Sequence, residues 1–352
     1  MRSRLVLTAG LRNNPIRPLL ALLTAAVLWG AALLAAQPAH GFLDKPTDAA
    51  IRVLTWNVYR DSIFPRDGEV VDAAGANRPA QFARVLQALK PDVVCLQEVT
   101  ASVARSADLV NHILPLPEGK TWQAHGAVDT VILSRFNLAA RGEGQVDDGE
   151  RPRGHAIALI NAPATNLYVI CAHFQSSDHP EAVALRRQQA QLIVSTIREA
   201  KAGGGAIPLR AGTPFIVLGD FNAIAGATLF VDAIVRGKAA YTAAGAPTGG
   251  LDWDHTALTD ARPRHNASRS DRYTWRNDLD RFQPGILDRI FYSDSVLASV
   301  NQFVLDTTTM SYAELVAARM RVIDVMRDPQ TGIHDHFPLV IDVVLRPDRQ
   351  RR

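Results

Sequence analysis

The sequence predicts a layered α/β fold, on three observations. Short apolar runs of strand length recur along the chain, two longer stretches carry helical apolar spacing, and residues able to do chemistry stand at the ends of the runs. The clearest run is Phe215-Ile-Val-Leu-Gly-Asp-Phe-Asn-Ala-Ile224. Its apolar part, Phe215 to Leu218, is too short for a helix and suits a strand buried on both faces. Pro214 fits the first residue of such a strand, and Gly219 lets the backbone turn or come close to a ligand. Asp220 and Asn222, two apart on an extended chain, point the same way. A carboxylate that can accept a proton from water thus shares a direction with an amide that can orient that water. The ordinary alternative is an Asx-rich turn after a core strand.

Residues 1–41 differ from the rest. Arg2, Arg4, Arg12 and Arg17 precede an uncharged apolar run, Leu19 to Ala36, followed by small residues at Ala39 and Gly41. This describes a secretory signal with cleavage after Gly41. The rival is an uncleaved anchor, because the run reaches the lower end of spanning length. Either reading exports residues 42–352, expected to form one domain that is periplasmic or secreted. With the anchor retained, residues 19–36 would be its membrane contact. Without the four leader arginines the formal charge moves from +3 to 3 − 4 = −1. No global basic field for nucleic acid or membrane then remains, and polyanion binding must rest on local patches. The hydrophobic fraction of 47% is that of a globular chain and not of a disordered one.

Taken in order, Ile51 to Asn57 alternates as a strand and ends on Asn57. A polar, turn-rich segment follows, Arg60 to Asn77. Phe82, Val85, Leu86 and Leu89 then make a helix stripe, with Pro79 in its first turn and Pro91 stopping it. Asp92 to Gln97 is a buried strand ending on Glu98. Further strands are Val131 to Ser134, Ala156 to Ile160, and Leu167 to Ala172, the last delivering His173. A helix runs from about Pro180 to Ala200, Gly203 to Gly212 is a loop, and the Phe215 strand follows. Residues 223–285 read as irregular. The final strands are Ile286 to Tyr292, Val296 to Leu305 and Phe337 to Leu345, the last preceded by His334-Asp335-His336. The chain has two cysteines, Cys95 and Cys171, each inside an apolar run where a small buried hydrophobe is the ordinary reading. Export permits a bridge between them, but sequence does not show their backbones to be close. Neither has a Cys/His zinc spacing.

Asn57, Glu98, His173, Asp220, Asn222, Asp335 and His336 all sit at strand ends, where a rigid scaffold holds pocket residues. Asp288 lies inside the apolar run Ile286 to Tyr292. An unpaired charge there is costly, so it predicts a buried partner, for which a His is the natural candidate. Singly, each has a bland reading as a turn residue, a surface carboxylate or a core imidazole; the order of the whole set is what departs from chance. The chain has no Gly-x-Ser-x-Gly elbow, no phosphate-binding Gly-Lys-Ser/Thr loop and no His-Glu-x-x-His helix.

At these residues the sequence resembles the endonuclease/exonuclease/phosphatase superfamily, which includes deoxyribonuclease I. The resemblance rests on Thr55-Trp-Asn57, Leu96-Gln-Glu98, Ile132-Leu-Ser-Arg135, Ala172-His-Phe174, Gly219-Asp-Phe-Asn222, Tyr273-Thr-Trp275, Leu287-Asp-Arg-Ile290 and Asp335-His-Phe-Pro338. It implies a four-layered α/β sandwich, two packed mixed β-sheets flanked by helices, with the site at one end of the sheets. It also implies that Glu98 is the principal ligand of a divalent metal, with Asn57 and Asp335 beside it. Asp220 would orient or deprotonate the attacking water, Asn222 would help place the phosphate, and His173 and His336 would hydrogen-bond phosphate oxygens, His336 being paired with Asp288. Oxygen donors suit Mg²⁺, or Mn²⁺ as a substitute, and not zinc.

The expected function is an exported metal-dependent nuclease or phosphodiesterase. The alternatives are a phosphatase or sphingomyelinase-like phospholipase C on a small phosphoester or lipid head group, and a non-catalytic binding protein on the same fold. The expected partner is a phosphoester substrate, nucleic acid among them, and the expected state is a monomer. Two departures bear on substrate. Tyr59 stands where some nuclease members carry a basic residue, and His334 stands where Ser is common, so His334 and His336 are not read as a metal pair. The Arg262–Arg272 segment, with four Arg and one His, is either a phosphate-contacting loop or a solvated one.

Overall fold

A computed structural model describes residues 41–66, 71–146, 153–224, 227–237 and 249–347. The leader expected at residues 1–41 lies outside the described residues except for Gly41. From Phe42 onward the chain forms one unit. Among the described residues no helix is long and apolar enough to cross a membrane.

Two mixed sheets form the centre. The strands of the first are β1 (Ile51–Asn57), β2 (Val93–Gln97), β3 (Gln123–Ala127), β4 (Thr130–Ser134), β10 (Arg264–His265), β12 (Leu297–Val304) and β13 (Leu339–Leu345), in spatial order β10-β12-β13-β1-β2-β4-β3. The second holds β5 (Asn137–Val146), β6 (Arg153–Ala162), β7 (Thr165–His173), β8 (Phe215–Asp220), β9 (Thr259–Asp260) and β11 (Asp288–Tyr292), in order β5-β6-β7-β8-β11-β9. β1 and β2 are parallel, as are β7 and β8, whereas β13 and β11 run antiparallel to their neighbours β1 and β8.

Strand periodicity explains the layering. On β7 and β8, Val169, Cys171, Ile216 and Leu218 face the core shared with the first sheet. The alternate residues Tyr168, Ile170, Phe215 and Val217 pack with Ala190, Ile193, Val194 and Ile197 of the helix Pro180–Lys201. On the other side, Phe82, Val85, Leu86 and Leu89 of the helix Arg78–Leu89 join the core around Leu54 and Trp56. Asn77 caps that helix by accepting from the Ala80 N–H at 3.1 Å. The expected four-layered sandwich is therefore the observed one.

The structure departs from the sequence expectation at the cysteines, over residues 223–285 and at several short or edge elements. Cys95 on β2 and Cys171 on β7 are not two separate buried thiols: they form a disulfide, with Cα atoms 5.6 Å apart, joining one sheet to the other. Both strands turn these residues to the shared core at the same depth, a placement set by sheet packing and invisible in either run alone. The region 223–285 is not wholly irregular. It contains a helix, Ala227–Arg236, whose Phe230 and Ile234, four apart, are buried. The helices Val103–Ile113 and Tyr312–Ala318 and the edge strands β3 and β5 also went unread. β5 exposes alternate residues and carries Gly142 and Gly144, which dilutes its apolar signal.

Candidate active site

The register places the strand ends together. β1 ends on Asn57, β2 is followed by Glu98, β7 ends on His173 and β8 on Asp220. Parallel pairing within each of these couples puts both members at the same end of the sheet. Asp288 opens β11 directly opposite Asp220. Asp335 and His336 lead into β13, which pairs Leu339 with Thr55 of β1. Gly219 at this edge has φ 140°, and a Cβ there would lie 2.0 Å from the Ala172 carbonyl oxygen of β7. The close approach that glycine permits is thus to a neighbouring strand.

A cavity of about 470 Å³ opens at this end, and Glu98, His173, Asp220, Asn222, Asp335 and His336 line it. Asn57 and Asp288 stand behind the wall, each bonded to residues that line it. All eight sequence-predicted residues are therefore in one place. Asp220 is the hub. Its carboxylate accepts from Asn57 Nδ2 at 3.1 Å, from the Asn222 backbone N–H at 2.8 Å and from Asn222 Nδ2 at 3.2 Å. His173 Nε2 and His336 Nε2 lie 3.5 and 3.6 Å from the same oxygen, Oδ2.

Each imidazole is fixed from behind by a buried carboxylate. His336 Nδ1 is 2.8 Å from Asp288 Oδ2, which also accepts from Thr274 Oγ1 at 2.7 Å. Thr274 Oγ1 in turn accepts the N–H groups of Leu287 and Asp288. His173 Nδ1 is 2.7 Å from Asp129 Oδ2, which also pairs with Arg153. Asp129 was missed from sequence because it lies in the turn between β3 and β4, where an Asp is ordinary.

The electrostatics follow from burial and pairing. Burial pushes the Asp288 carboxyl up to about 6, against the pull of His336. Burial opposes a charge on His336, yet Asp288 and Asp220 hold it protonated well above the usual imidazole value. The pairing thus favours a charged imidazolium on His336, whose Nε2 faces Asp220 Oδ2 at the cavity wall. Burial also opposes a charge on Asp129, but His173 and Arg153 hold its carboxyl below the usual value.

The metal-ligand candidates lie in the same cavity. Glu98 accepts from Asn57 Nδ2 at one oxygen and from the Arg60 N–H at the other, both at 3.1 Å. Asp335 Oδ1 accepts from Trp275 Nε1 at 2.9 Å. Burial raises the Asp335 carboxyl, with His336 and Arg327 opposing and Glu98 adding like-charge repulsion. A hard cation between Glu98 and Asp335 would relieve that repulsion, so the donor set fits one. Asn57 fits less directly: its amide oxygen already accepts the Tyr59 N–H at 3.1 Å, and its NH₂ bridges Glu98 and Asp220. Among the described residues, the tightest group of potential ligands is Asp220, Asp288 and His336, with atoms within 4.8 Å of one another. That group is bonded to itself, and a protonated imidazole does not ligate.

The remaining sequence candidates fall outside the cavity. His334 stacks on Phe337 with ring centroids 5.4 Å apart. In the Arg262–Arg272 loop, His265 bonds Asp306 and the Tyr273 carbonyl, and Arg269 donates to the Thr309 carbonyl. These two side chains hold the loop to the body of the protein, whereas Arg272 donates within the loop, to the Arg262 carbonyl.

The chain matches the endonuclease/exonuclease/phosphatase family over residues 54–309, more than half of its length. Among solved structures, it resembles an endonuclease/exonuclease/phosphatase from Bacteroides vulgatus at 17% identity and a TM-score of 0.52, covering 84% of this chain and 99% of that one. It also resembles the human Nocturnin catalytic domain with bound sulfate at 16% identity and a TM-score of 0.51, covering 85% and 96%. At such identities these likenesses speak for the fold. No curated protein sequence matches. By the family match over residues 54–309, this chain belongs to the endonuclease/exonuclease/phosphatase family.

Proposed function

We propose that the protein is an exported, divalent-metal-dependent phosphoesterase that hydrolyses a phosphodiester by in-line attack of water, acting as an endonuclease/exonuclease-type nuclease. The observation that carries this reading is one buried carboxylate, Asp220, set between two carboxylate-backed imidazoles in a cavity that also holds Glu98 and Asp335. Glu98 and Asp335, with Asn57 beside them, would hold Mg²⁺ or Mn²⁺. Such an ion, when bound, neutralises charge on the phosphate and leaving group. Asp220 orients water and takes its proton as the new P–O bond forms and the ester P–O bond breaks. His336, as imidazolium, and His173 donate to the phosphate oxygens as negative charge gathers there, and Asn222 helps seat the phosphate. Export is supported by the leader composition and by the Cys95–Cys171 bridge, since disulfides persist in oxidising compartments.

A second reading, a phosphatase or phospholipase C on a small phosphoester or lipid head group, is favoured by Tyr59. It lines the cavity wall where some nuclease members carry a basic residue. The test offers the purified protein with Mg²⁺ to plasmid DNA, RNA, sphingomyelin, inositol phosphates and bis-p-nitrophenyl phosphate. Cleavage of nucleic acid that is abolished by EDTA and lowered on the order of 10²-fold or more in Asp220→Ala supports the nuclease. Turnover of lipid or inositol substrates alone selects the second reading. A folded protein inert on every substrate overturns both.

A further inference from the structure

Tyr59, Arg60 and Asp61 have φ of 58°, 50° and 57°, three consecutive non-glycine residues in the left-handed region. L-residues adopt this conformation in succession only where the surroundings enforce it. Here the Tyr59 N–H donates to Asn57 Oδ1, the Arg60 N–H to Glu98 Oε2, and the Asp61 N–H to the Glu98 carbonyl at 2.9 Å. Asp61 Oδ1 then accepts the N–H groups of Thr100 and Ala101. The turn is thereby clamped to two residues of the proposed metal site, and it puts the Tyr59 ring on the cavity wall.

Two guanidinium groups flank that ring. Arg327 lies 4.5 Å from its centroid and Arg60 5.5 Å. Other arginines near the cavity are committed: Arg276 to Asp278, Arg281 to Asp178 and Arg153 to Asp129. Among the described residues, the guanidinium groups of Arg60 and Arg327 make neither hydrogen bond nor ion pair. Half-buried Arg78, which donates to the Met326 carbonyl next to Arg327, adds a third positive charge beside Arg327. Arg327 also bears on the charge of Asp335, which ties this cluster to the catalytic end of the cavity. Two guanidinium forks over one aromatic ring, neither bonded among the described residues, are suited to a phosphate, whose oxygens match guanidinium geometry.

We propose that Tyr59, Arg60 and Arg327 form a subsite for a second phosphate carried by the same substrate, beside the one that is cleaved. The proposal deepens the phosphoesterase reading and rests on it for the position of the first phosphate. The second phosphate can come from the neighbouring link of a nucleic-acid strand or from a small bisphosphate, and the test separates these sources.

The test compares kcat/KM on bis-p-nitrophenyl phosphate, which has one phosphate, with that on short oligothymidylates and on a sugar bisphosphate. Wild type should prefer at least one of the two-phosphate substrates. In Arg60→Ala/Arg327→Ala that preference should fall on the order of tenfold per guanidinium, chiefly through KM. Truncation leaves the Arg60 N–H on Glu98, and Arg60→Lys/Arg327→Lys, which keeps both charges, should recover part of the loss. If the alanine pair fails to fold, the lysine pair carries the comparison, because it should still lose part of the preference. Oligothymidylate binding is also read by fluorescence anisotropy in the Asp220→Asn background, where the salt dependence should become shallower by about one unit of slope per arginine removed.

Preference for oligothymidylates assigns the second phosphate to a strand, and preference for the bisphosphate assigns it to a small molecule. Cleavage of bis-p-nitrophenyl phosphate with no two-phosphate preference overturns the subsite and leaves the hydrolase standing. An unchanged preference in a folded double variant also overturns it. Arginine-dependent oligothymidylate binding in a protein that cleaves nothing overturns the hydrolase reading and leaves the anion subsite standing.

Discussion

Asp288 and Asp129 do the same work on two imidazoles, each carboxylate holding a ring nitrogen, at 2.8 Å on His336 and 2.7 Å on His173. Asp288 interrupts an apolar strand, so burial could be inferred and a partner demanded; the partner is His336 at 2.8 Å. Asp129 occupies a turn, and nothing local reveals that the turn is folded under His173. His155 adds a buried imidazole close behind this group, its ring 5.5 Å from that of Phe174. Burial pushes it down to about 4 from 6.5. The fold therefore favours neutral His155, a contribution fully present above pH 6.5 and lost as the pH falls from 6.5 toward 4. On the order of 3 kcal/mol is at stake across that window. Asp288, raised to about 6, acts with the opposite sign there, so the difference between variants is the informative quantity. Replacing His155→Gln should flatten the acid limb, so the melting temperature of wild type falls more steeply than that of the variant between pH 6.5 and 4.5. Parallel curves would refute the assignment.

At the scale of elements, legibility followed burial. β1, β2, β7, β8 and the two long helices have continuous or periodic apolar residues and were readable within a few positions. Edge strands and short helices, whose stability comes from packing against those elements, were not. Gly219 joins the two levels. It was read as a turn or a ligand approach, but its register with Ala172 makes it the point where β7 and β8 pass closely. Gly219→Ala would push a methyl group into the Ala172 carbonyl and require left-handed backbone as well. The strands would have to part just before His173 and Asp220. The expected outcome is a loss of several kcal/mol, seen as a lower melting temperature, together with reduced hydrolysis. A variant with the wild-type melting temperature and activity would show that the two strands can separate there without consequence.

Across the whole molecule, the site depends on holding two sheets in one relative position, because Asn57, Glu98 and Asp335 come from the first and His173, Asp220 and Asp288 from the second. The shared apolar core does most of this non-directionally. The Cys95–Cys171 bridge adds a covalent tie beneath the site: both sulfurs lie 3.3 Å from Gln97 Nε2, and Gln97 immediately precedes Glu98. A link spanning 76 residues restricts the unfolded chain, worth about 4 kcal/mol in the chain-entropy account. Reduction of wild type and the substitution Cys95→Ala/Cys171→Ala should therefore each lower the melting temperature on the order of 5 °C or more, and by similar amounts. Hydrolysis well below the transition should persist, because each imidazole is held by a carboxylate and by strand register that do not involve sulfur. Thermal melts with and without reductant, run beside activity at low temperature, read both quantities. Equal melting temperatures would show that the core alone fixes the sheets, whereas lost activity in a folded, reduced protein would make the bridge a positioning element of the site.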